Sequence, residues 1–336
     1  MKKILSILTL MLTVTAANAQ RVPSKIELKN NTTVTFQKEE VDSTRELPGV
    51  GIKVYPNGSK VSQDYLYSQI SNIEFYEGTA AGLNKNKNDV PGGHLLEYPH
   101  FTEGSDQLLV VHRTNDYGIT YSLEWDCTKK SQRWTAYEFH DGIPDNNVGR
   151  GDKWKDDPEI PSAYQTHESW YSGTGYSKGH MCTSNDRQSS REQNNQTFYI
   201  SNAMPQNGTH NSGLWNTLEN KVNSWGNSKS FRDTLYVVKA GTIRDDQVLE
   251  YVGTYKLLVP KYFYMAILCV KDGKYKAIGF WTEHTANNSS KNPADYTISI
   301  KELEEKTGID FFCNLPDDRE RVIEAAKPND ALWGLE

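Results

Sequence analysis

The chain has 336 residues, enough to bury a sizeable core in one large domain or in a large and a small one. Charged residues make up 24% and hydrophobic residues 36% of the sequence, which is typical of folded globular proteins and excludes a disordered chain. The formal net charge of −6 opposes attraction of the whole surface to a polyanion, although a local basic cleft can exist on an acidic protein.

Residues 1–19 have the three parts of a secretory signal peptide. Two lysines supply the positive start, residues 4–14 form the apolar run, and residues 17–19 (ANA) form a small-x-small cleavage site. The apolar run is too short to span a bilayer, and no other stretch of the sequence is apolar enough to do so. We therefore predict an exported protein, periplasmic or extracellular, that begins at Gln20 and has a net charge of about −8.

Residues 20–77 are predicted to form a small β-rich module. Residues 25–37 (KIELKNNTTVTFQ) alternate polar and apolar side chains around an Asn-Asn pair, and residues 52–62 (IKVYPNGSKVS) do so around Asn-Gly. Each pattern predicts a β-hairpin. A short segment follows each hairpin, ending near Val41 and at residues 70–75, which indicates a weak two-fold internal repeat. The module has no convincing group of catalytic residues.

Residues 78–94 (GTAAGLNKNKNDVPGGH) are rich in Gly, Asn and Lys, and they predict a linker to a larger domain at 95–336. Strand patterns dominate that domain. The predicted strands are 107–113, 119–125, 133–139, 197–202, 234–240, 255–260, 262–270 and 275–281. The predicted helices are 211–225, 299–307, which ends at Gly308 as a C-cap, and 317–326. This order favours an α+β fold built on a large antiparallel sheet.

The four cysteines are distant from one another in sequence: Cys127, Cys182, Cys269 and Cys313. Because they form no C-x-x-C pair, a zinc site is not expected. Export would permit disulfides, but small buried thiols fit the sequence equally well, and the pairing stays open.

Three short stretches carry polar groups suited to chemistry: 176–181 (YSKGHM) with 185–187 (NDR), 197–206 (TFYISNAMPQ) and 210–219 (HNSGLWNTLE). On a helix, Asn211, Trp215 and Glu219 fall along one stripe. The two oxygen donors on this stripe suit Mg²⁺, and His180 could supply a base. From the residues alone, a capping Asn and a solvated Glu explain the same pattern.

Together these stretches resemble the ββα-metal (His-Me finger) family of DNA/RNA non-specific endonucleases, which includes nucleases of the Serratia and endonuclease G types. The family pattern is Asp-Arg-Gly-His, then a strand with Ser-Asn and Pro-Gln, then a helix of form Asn-x-x-x-Trp-x-x-Leu-Glu. The chain matches the second and third elements in order, and the resemblance covers roughly residues 92–320. It implies a ββα-metal nuclease domain on the large antiparallel sheet.

The resemblance also implies roles for individual residues. His180 would be the general base that activates water for attack on phosphorus. Asn211 would be the single direct protein ligand of a hydrated Mg²⁺, although Mn²⁺ suits the same oxygen-rich site. Glu219 would hold metal-bound waters, and Asn202 matches a strand asparagine that supports the site.

Two cations complete the implied site. Arg150 aligns loosely with a family arginine that stabilises the transition state, and Lys153 competes for that role. The chain has Ser177-Lys178-Gly179-His180 where the family has Asp-Arg-Gly-His. Lys178 keeps a positive charge beside the phosphate but loses the bidentate fork of arginine, so the rate or the metal preference can differ from the family.

The sequence therefore predicts an exported, Mg²⁺-dependent, sugar-non-specific endonuclease that cuts DNA and RNA to 5′-phosphorylated products. A catalytically silent secreted binding or adhesion protein on the same fold is the alternative, favoured by the Ser177-Lys178 departure and the acidic net charge. A phosphodiesterase confined to small nucleotides is a third hypothesis. Three roles also stay open: His210 as metal ligand or surface residue, and Arg187 and Arg191 as phosphate contacts or braces.

Overall fold

The computed structural model describes residues 22–47, 51–66, 68–75, 84, 86–90, 92–143, 146–288 and 290–335. The predicted signal peptide at 1–19 lies outside these residues. The chain divides into two compact units, 1–83 and 84–336. Among the described residues, no helix is both long and apolar enough to cross a membrane.

The first unit contains two three-stranded antiparallel sheets with the strand orders β2-β1-β6 and β3-β4-β5. The strands are β1 (Pro23–Leu28), β2 (Thr33–Thr35), β3 (Val41–Leu47), β4 (Gly51–Pro56), β5 (Gln63–Leu66) and β6 (Ile70–Phe75). The unit has its own small core, which consists of Ile26, Phe36, Val41, Ile52 and Val54.

The first predicted hairpin is confirmed, because β1 pairs with β2 and Asn31 takes a positive φ of 62° in the turn between them. The second hairpin is longer than predicted, since β4 pairs with residues 63–66 rather than 59–62. The side chain of Ser59 bonds the backbone of Val61 in both directions, so the chain after Gly58 forms a loop before it returns.

The second unit is built on a seven-stranded antiparallel sheet of order β17-β16-β15-β12-β9-β8-β7. Its strands are β7 (Gln107–Thr114), β8 (Gly118–Asp126), β9 (Ser131–His140), β12 (Thr234–Gly241), β15 (Tyr262–Lys271), β16 (Lys274–Glu283) and β17 (Thr297–Ile298). The central strand β12 is buried along its whole length, so both faces of the sheet are covered there. Asp272 and Gly273, with φ of 49° and 72°, make the two-residue turn between β15 and β16.

Among the described residues, two small strand pairs and six α-helices complete the second unit, together with short 3₁₀ turns. The pairs are β10 (Ser177–His180) with β11 (Ala203–Gln206), and β13 (Val248–Val252) with β14 (Leu257–Pro260). The helices are α1 (Arg191–Gln196), α2 (Gly208–His210), α3 (Asn216–Asn227), α4 (Ile300–Thr307), α5 (Asp317–Ala325) and α6 (Asp330–Trp333). The segment Asn211–Trp215 joins α2 to α3 through a kink at Gly213, whose backbone is not helical (φ −102°, ψ −108°). Helices α3 and α4 both pack on the large sheet.

The strong sequence patterns are confirmed in this unit. The predicted strands of the large sheet are present, and α4 has a capping box between Ser299 and Glu302 and ends at Gly308 with φ of 70°. The strand predicted at 197–202 is wrong, because 197–199 form a turn with one isolated bridge, 200–202 form a 3₁₀ turn, and β11 begins only at Ala203. Phe198 and Ile200 are both buried. A buried turn and a buried strand both require apolar residues, so the sequence pattern does not distinguish them.

The described part of the predicted linker packs on the second unit. Asn84 donates hydrogen bonds to the carbonyls of Cys313 and Leu315, and buried Asn88 donates to Pro99. Asparagine side chains at these positions therefore satisfy backbone groups of the domain rather than solvating a free segment. The domain boundaries predicted from composition stay a prediction. All four cysteines are buried free thiols.

Candidate active site

His180 stands at the end of β10, where the short β10–β11 ladder sets its position. The preceding residue, Gly179, is a glycine because a β-carbon at this position would overlap Gln206 Oε1 on β11. The imidazole lies 4.5 Å from the Trp154 ring and meets Phe198 edge-on at 5.0 Å, centroid to centroid. Its Nε2 atom is buried and has no hydrogen-bond partner among the described residues. The ring is thus fixed by packing while one nitrogen stays uncommitted.

The surroundings keep His180 neutral. Burial lowers the pKa of His180 to about 3, and the positive charges of Arg150, Lys239 and Lys178 add to the effect. A neutral imidazole is the form that accepts a proton. An anionic group placed among the same cations would offset their repulsion, and it would raise the basicity of the ring.

An open cleft of about 330 Å³ brings together most of the residues singled out from the sequence. Its lining residues are Arg150, Lys178, His180, Thr183, Ser184, Asn211, Ser212, Asn216 and Glu219. Five of the six predicted site residues are in this set; Asn202 is the exception. The strand β10, the loop after it and the α2–α3 helical segment therefore converge on one cavity.

Asn211 lies at the start of the segment that joins α2 to α3, immediately after the short helix that Asn207 caps by accepting hydrogen bonds from Thr209 and His210. The Asn211 side chain makes no hydrogen bond to any part of the chain that the structure describes. Its amide oxygen is therefore available to a ligand in the cleft.

Glu219 supplies the one carboxylate among the lining residues. Burial raises the pKa of Glu219 to about 7, against the effect of Lys239, whose Nζ is 3.2 Å from Glu219 Oε1. An amide oxygen, a carboxylate and hydroxyls, with one imidazole and no thiol, are hard donors that suit Mg²⁺ or Mn²⁺ and not zinc. The residues present fit a hydrated divalent ion held by few protein ligands.

Asn202 is fully buried and acts on the backbone rather than in the cleft. Its Oδ1 accepts from the Cys182 amide, and its Nδ2 donates to the carbonyls of Cys182 and Thr197, each at 2.8 Å. The Met181 amide also donates to the Asn202 carbonyl. Asn202 is thus a positioning residue that locks the chain directly after His180.

The two predicted cations line the cleft in different ways. The Arg150 guanidinium lies over the Phe198 ring, 5.3 Å from its centroid. Lys178 Nζ is 2.7 Å from Glu168 Oε1 and lies over the Trp154 ring. Lys153, the competitor of Arg150, is exposed and is not among the lining residues.

The structure decides two of the three roles left open by the sequence. Arg187 is fully buried and donates to the carbonyls of Thr120, Asp186 and Glu138, so it braces the loop. His210 is buried and bonded to Gln206 and Thr282, away from the cleft lining. Arg191 is exposed, at the first position of α1.

Sequence reasoning missed Lys239 and Trp154. Lys239 is fully buried on β12, and its single charge within the apolar run TLYVVKAG was the available signal. A buried lysine requires a partner, which Glu219 provides. Trp154 carries no signal in sequence, because its contact with His180 joins segments that are separate along the chain.

Comparison with known proteins identifies what this arrangement is similar to. The sequence profile of the family described as DNA/RNA non-specific endonuclease matches residues 96–318. The mitochondrial nuclease EXOG of Xenopus laevis is 29% identical over 215 residues, which cover 60% of this chain and 59% of that protein. The chain thus spans less than two thirds of the length of this relative.

Two further relatives are nucleases of microorganisms. The nuclease of Nostoc sp. (strain PCC 7120 / SAG 25.82 / UTEX 2576) is 29% identical, with 62% of this chain and 77% of that protein covered. Nuclease C1 of Cunninghamella echinulata var. echinulata is 31% identical, with 48% of this chain and 67% of that protein covered.

A solved structure shares the fold. A chain in the crystal structure of the EndoG/EndoGI complex matches 63% of this chain and 89% of its own length, with a TM-score of 0.54 and 23% identity. At this identity the likeness concerns the fold alone. The α+β, ββα-metal nuclease fold predicted from the sequence is confirmed.

Proposed function

The chain belongs to the DNA/RNA non-specific endonuclease family, and on this premise we propose that it is an exported, Mg²⁺-dependent endonuclease. It hydrolyses phosphodiester bonds of DNA and RNA and leaves 5′-phosphorylated ends. One observation carries the proposal. His180 Nε2 and the side-chain amide of Asn211, neither of which has a hydrogen-bond partner among the described residues, belong to one cleft that is lined by cations.

In the proposed reaction, His180 accepts a proton from water as the water oxygen attacks phosphorus. The bond from water oxygen to phosphorus forms while the bond from phosphorus to the 3′-oxygen breaks. The phosphate therefore stays on the 5′ side of the next nucleotide, and the 3′-oxygen leaves and takes up a proton from solvent. Trp154 and Phe198 hold the imidazole in place during this step.

Asn211 would hold the metal ion, and Glu219 would hold its waters. When bound, the ion would supply positive charge that stabilises the negative charge developing at the phosphate. Lys239 favours the charged form of Glu219 against the effect of burial. Arg150 and Lys178 bind the phosphate and stabilise the negative charge that develops on it.

The lining of the cleft supports recognition of the nucleic-acid backbone. Its cations, hydroxyls and amides suit phosphate oxygens, which are alike in every sequence and in both sugars. The formal net charge of −6 does not oppose this reading, because a local group of cations attracts phosphate on a protein that is acidic overall. The signal-peptide pattern at 1–19 supports export.

Digestion of plasmid DNA and of a structured RNA, in Mg²⁺ and in EDTA, tests the proposal. We expect both substrates to be cut in Mg²⁺ only. We expect His180→Ala to slow cleavage by ~10²-fold or more, because general-base help is lost. Binding without cleavage would instead support a catalytically silent protein. Cleavage of dinucleotides without cleavage of plasmid would support a phosphodiesterase for small nucleotides.

A further inference from the structure

Two aromatic rings outside the cleft form a flat exposed surface, here called the aromatic platform and defined as Trp170 and Tyr255. The rings are stacked, with centroids 4.5 Å apart and planes within 9° of parallel. Tyr255 is 60% exposed, and Trp170 covers one face of its ring, so the other face is open. An aromatic ring with one open face can stack on the flat face of a ligand.

The aromatic platform is held rigidly. Tyr255 lies in the tight turn between β13 and β14, where Gly253 and Lys256 have positive φ of 70° and 55°. Trp170 is fixed by His167, which meets it edge-on at 5.0 Å, and His167 is held in turn by Asp156. A preorganised ring pays little entropy when it stacks on a ligand.

Side chains connect the aromatic platform to the cleft. Trp170 lies on the 3₁₀ turn Glu168–Tyr171, and Glu168 forms the ion pair with Lys178 of the cleft lining. Trp154, which packs on His180, belongs to the same apolar cluster as Trp170. A polymer strand bound in the cleft can therefore continue onto this surface.

The charges around the aromatic platform suit a polyanion. Lys130 Nζ lies 5.5 Å from the centroid of the Trp170 ring, and Lys256 follows Tyr255 in the chain. Neither lysine has an ion-pair partner in the described part of the protein. Three nearby carboxylates have partners: Glu168 with Lys178, Asp156 with His167, and Glu250 with the Tyr176 hydroxyl.

We propose that the aromatic platform stacks an unpaired base of the strand whose phosphodiester lies in the cleft, so that the protein cuts single-stranded nucleic acid faster than a duplex. The inference rests on the proposed function and names its substrate class. Every base has a face that can stack on a tyrosine, so the contact is independent of sequence. In a duplex, neighbouring bases cover these faces, and only an unpaired base reaches the surface.

Tyr255→Ala tests the proposal, with Tyr255→Phe as the conservative variant and Tyr251→Ala as the matched control. Tyr251 is on the same hairpin and is 49% exposed, but it does not stack on Trp170. The readout is the ratio of kcat/KM for a single-stranded oligonucleotide to that for the same sequence as a duplex. Binding of labelled oligothymidylate to each variant in the His180→Ala background gives a second readout that needs no cleavage.

We expect Tyr255→Ala to lower the single-strand preference and to weaken oligothymidylate binding by ~10-fold, while Tyr255→Phe and Tyr251→Ala retain both. An unchanged ratio and unchanged binding in Tyr255→Ala would overturn the proposal, as would equal losses from Tyr251→Ala. If the parent protein cuts nothing but binds oligothymidylate in a Tyr255-dependent way, the proposed catalysis fails and the aromatic platform stands. Parallel thermal melts verify that each variant is folded.

Discussion

At the scale of single residues, the cleft combines groups that have no hydrogen-bond partner among the described residues with groups whose partners are buried. His180 Nε2 and the Asn211 amide are uncommitted, whereas Glu219 and Lys239 face each other in the interior. Lys239 has no exposed surface and the Glu219 side chain only 15%, so each charge depends on the other. The His180 nitrogen and the Asn211 side chain can therefore bind ligands, whereas the ion pair fixes the positions of Glu219 and Lys239.

Lys239→Met should therefore destabilise the protein, because it leaves Glu219 buried without its counter-charge. We expect a loss of about 3–5 kcal/mol in the free energy of unfolding, the cost of removing one partner of a buried pair. Urea unfolding measures it. The double variant Lys239→Met/Glu219→Gln should recover much of this loss. A single variant as stable as the parent would show that the pair does not matter to folding.

Asn202 allows a test of positioning. Asn202→Asp keeps the acceptor for the Cys182 amide but loses both donated hydrogen bonds, and Asn202→Ala loses all three. Since a buried group left without a partner costs ~1–3 kcal/mol, we expect both variants to melt lower and to have reduced kcat with little change in KM. A raised KM at constant kcat would mean that Asn202 binds substrate directly.

At the scale of elements, the β10–β11 pair and the α2–α3 segment carry the site between them. β10 places Lys178 and His180 two residues apart, and successive side chains of a strand alternate in direction, so both project to one side. The helical segment places Asn211 directly after α2, with Glu219 on the α-helix that follows. The kink at Gly213 separates these two positions, so their relative placement is not that of one continuous helix.

Gly179→Ala tests the first of these elements. The added β-carbon would overlap Gln206, and β10 would have to move away from β11 with His180 at its end. We expect a fall in kcat of about 10-fold or more, as small displacements of a catalytic group cost this much. Adding Gln206→Ala should restore part of the activity by removing the amide that is overlapped. Full activity in Gly179→Ala alone would contradict the close packing.

At the scale of the whole second unit, a group of acidic side chains links α4 and α5 to the segment around Asp310. Oxygens of Glu304, Asp310 and Glu324 lie within 4.8 Å of one another, and Asn86 bonds both Asp310 and Glu320. Burial raises the pKa of Glu304 to about 8 and that of Glu324 to about 10, and the neighbouring carboxylates add to both shifts. The other titratable groups that face them are His100, Lys301 and Asp317.

The folded protein should therefore lose stability as the pH rises. Groups with a raised pKa keep their protons when folded, at pH values at which the unfolded chain has released them. Each thus destabilises the fold progressively between its ordinary value near 4.5 and its folded value. We expect the Tm to fall from pH 6 to pH 9, and to fall less in Glu324→Gln.

Glu305→Gln is the matched control for that measurement, because Glu305 is exposed on the same helical stretch. Its melting profile should follow that of the parent protein. A parent Tm that is flat or rising over this range would contradict the expected proton uptake on folding.

The fold was predictable where the signal is local. Alternating side chains and long apolar runs indicated the strands of the large sheet, and Ser299, Glu302 and Gly308 marked the ends of α4. The prediction failed at 197–202, because a buried 3₁₀ turn and a buried strand carry the same apolar residues. It was incomplete at the linker, where asparagine side chains bind distant carbonyls.

The sequence by itself determined which residue types stand in the predicted site, since His180, Asn211 and Glu219 belong to an ordered motif, and the structure brings these three into one cleft. Only the tertiary structure decided their surroundings: Lys239 opposite Glu219, Trp154 against His180, and Asn202 behind the strand rather than in the cleft. The physical reason is that pKa, packing and orientation arise from contacts between segments far apart in the chain. Local spacing cannot encode those contacts.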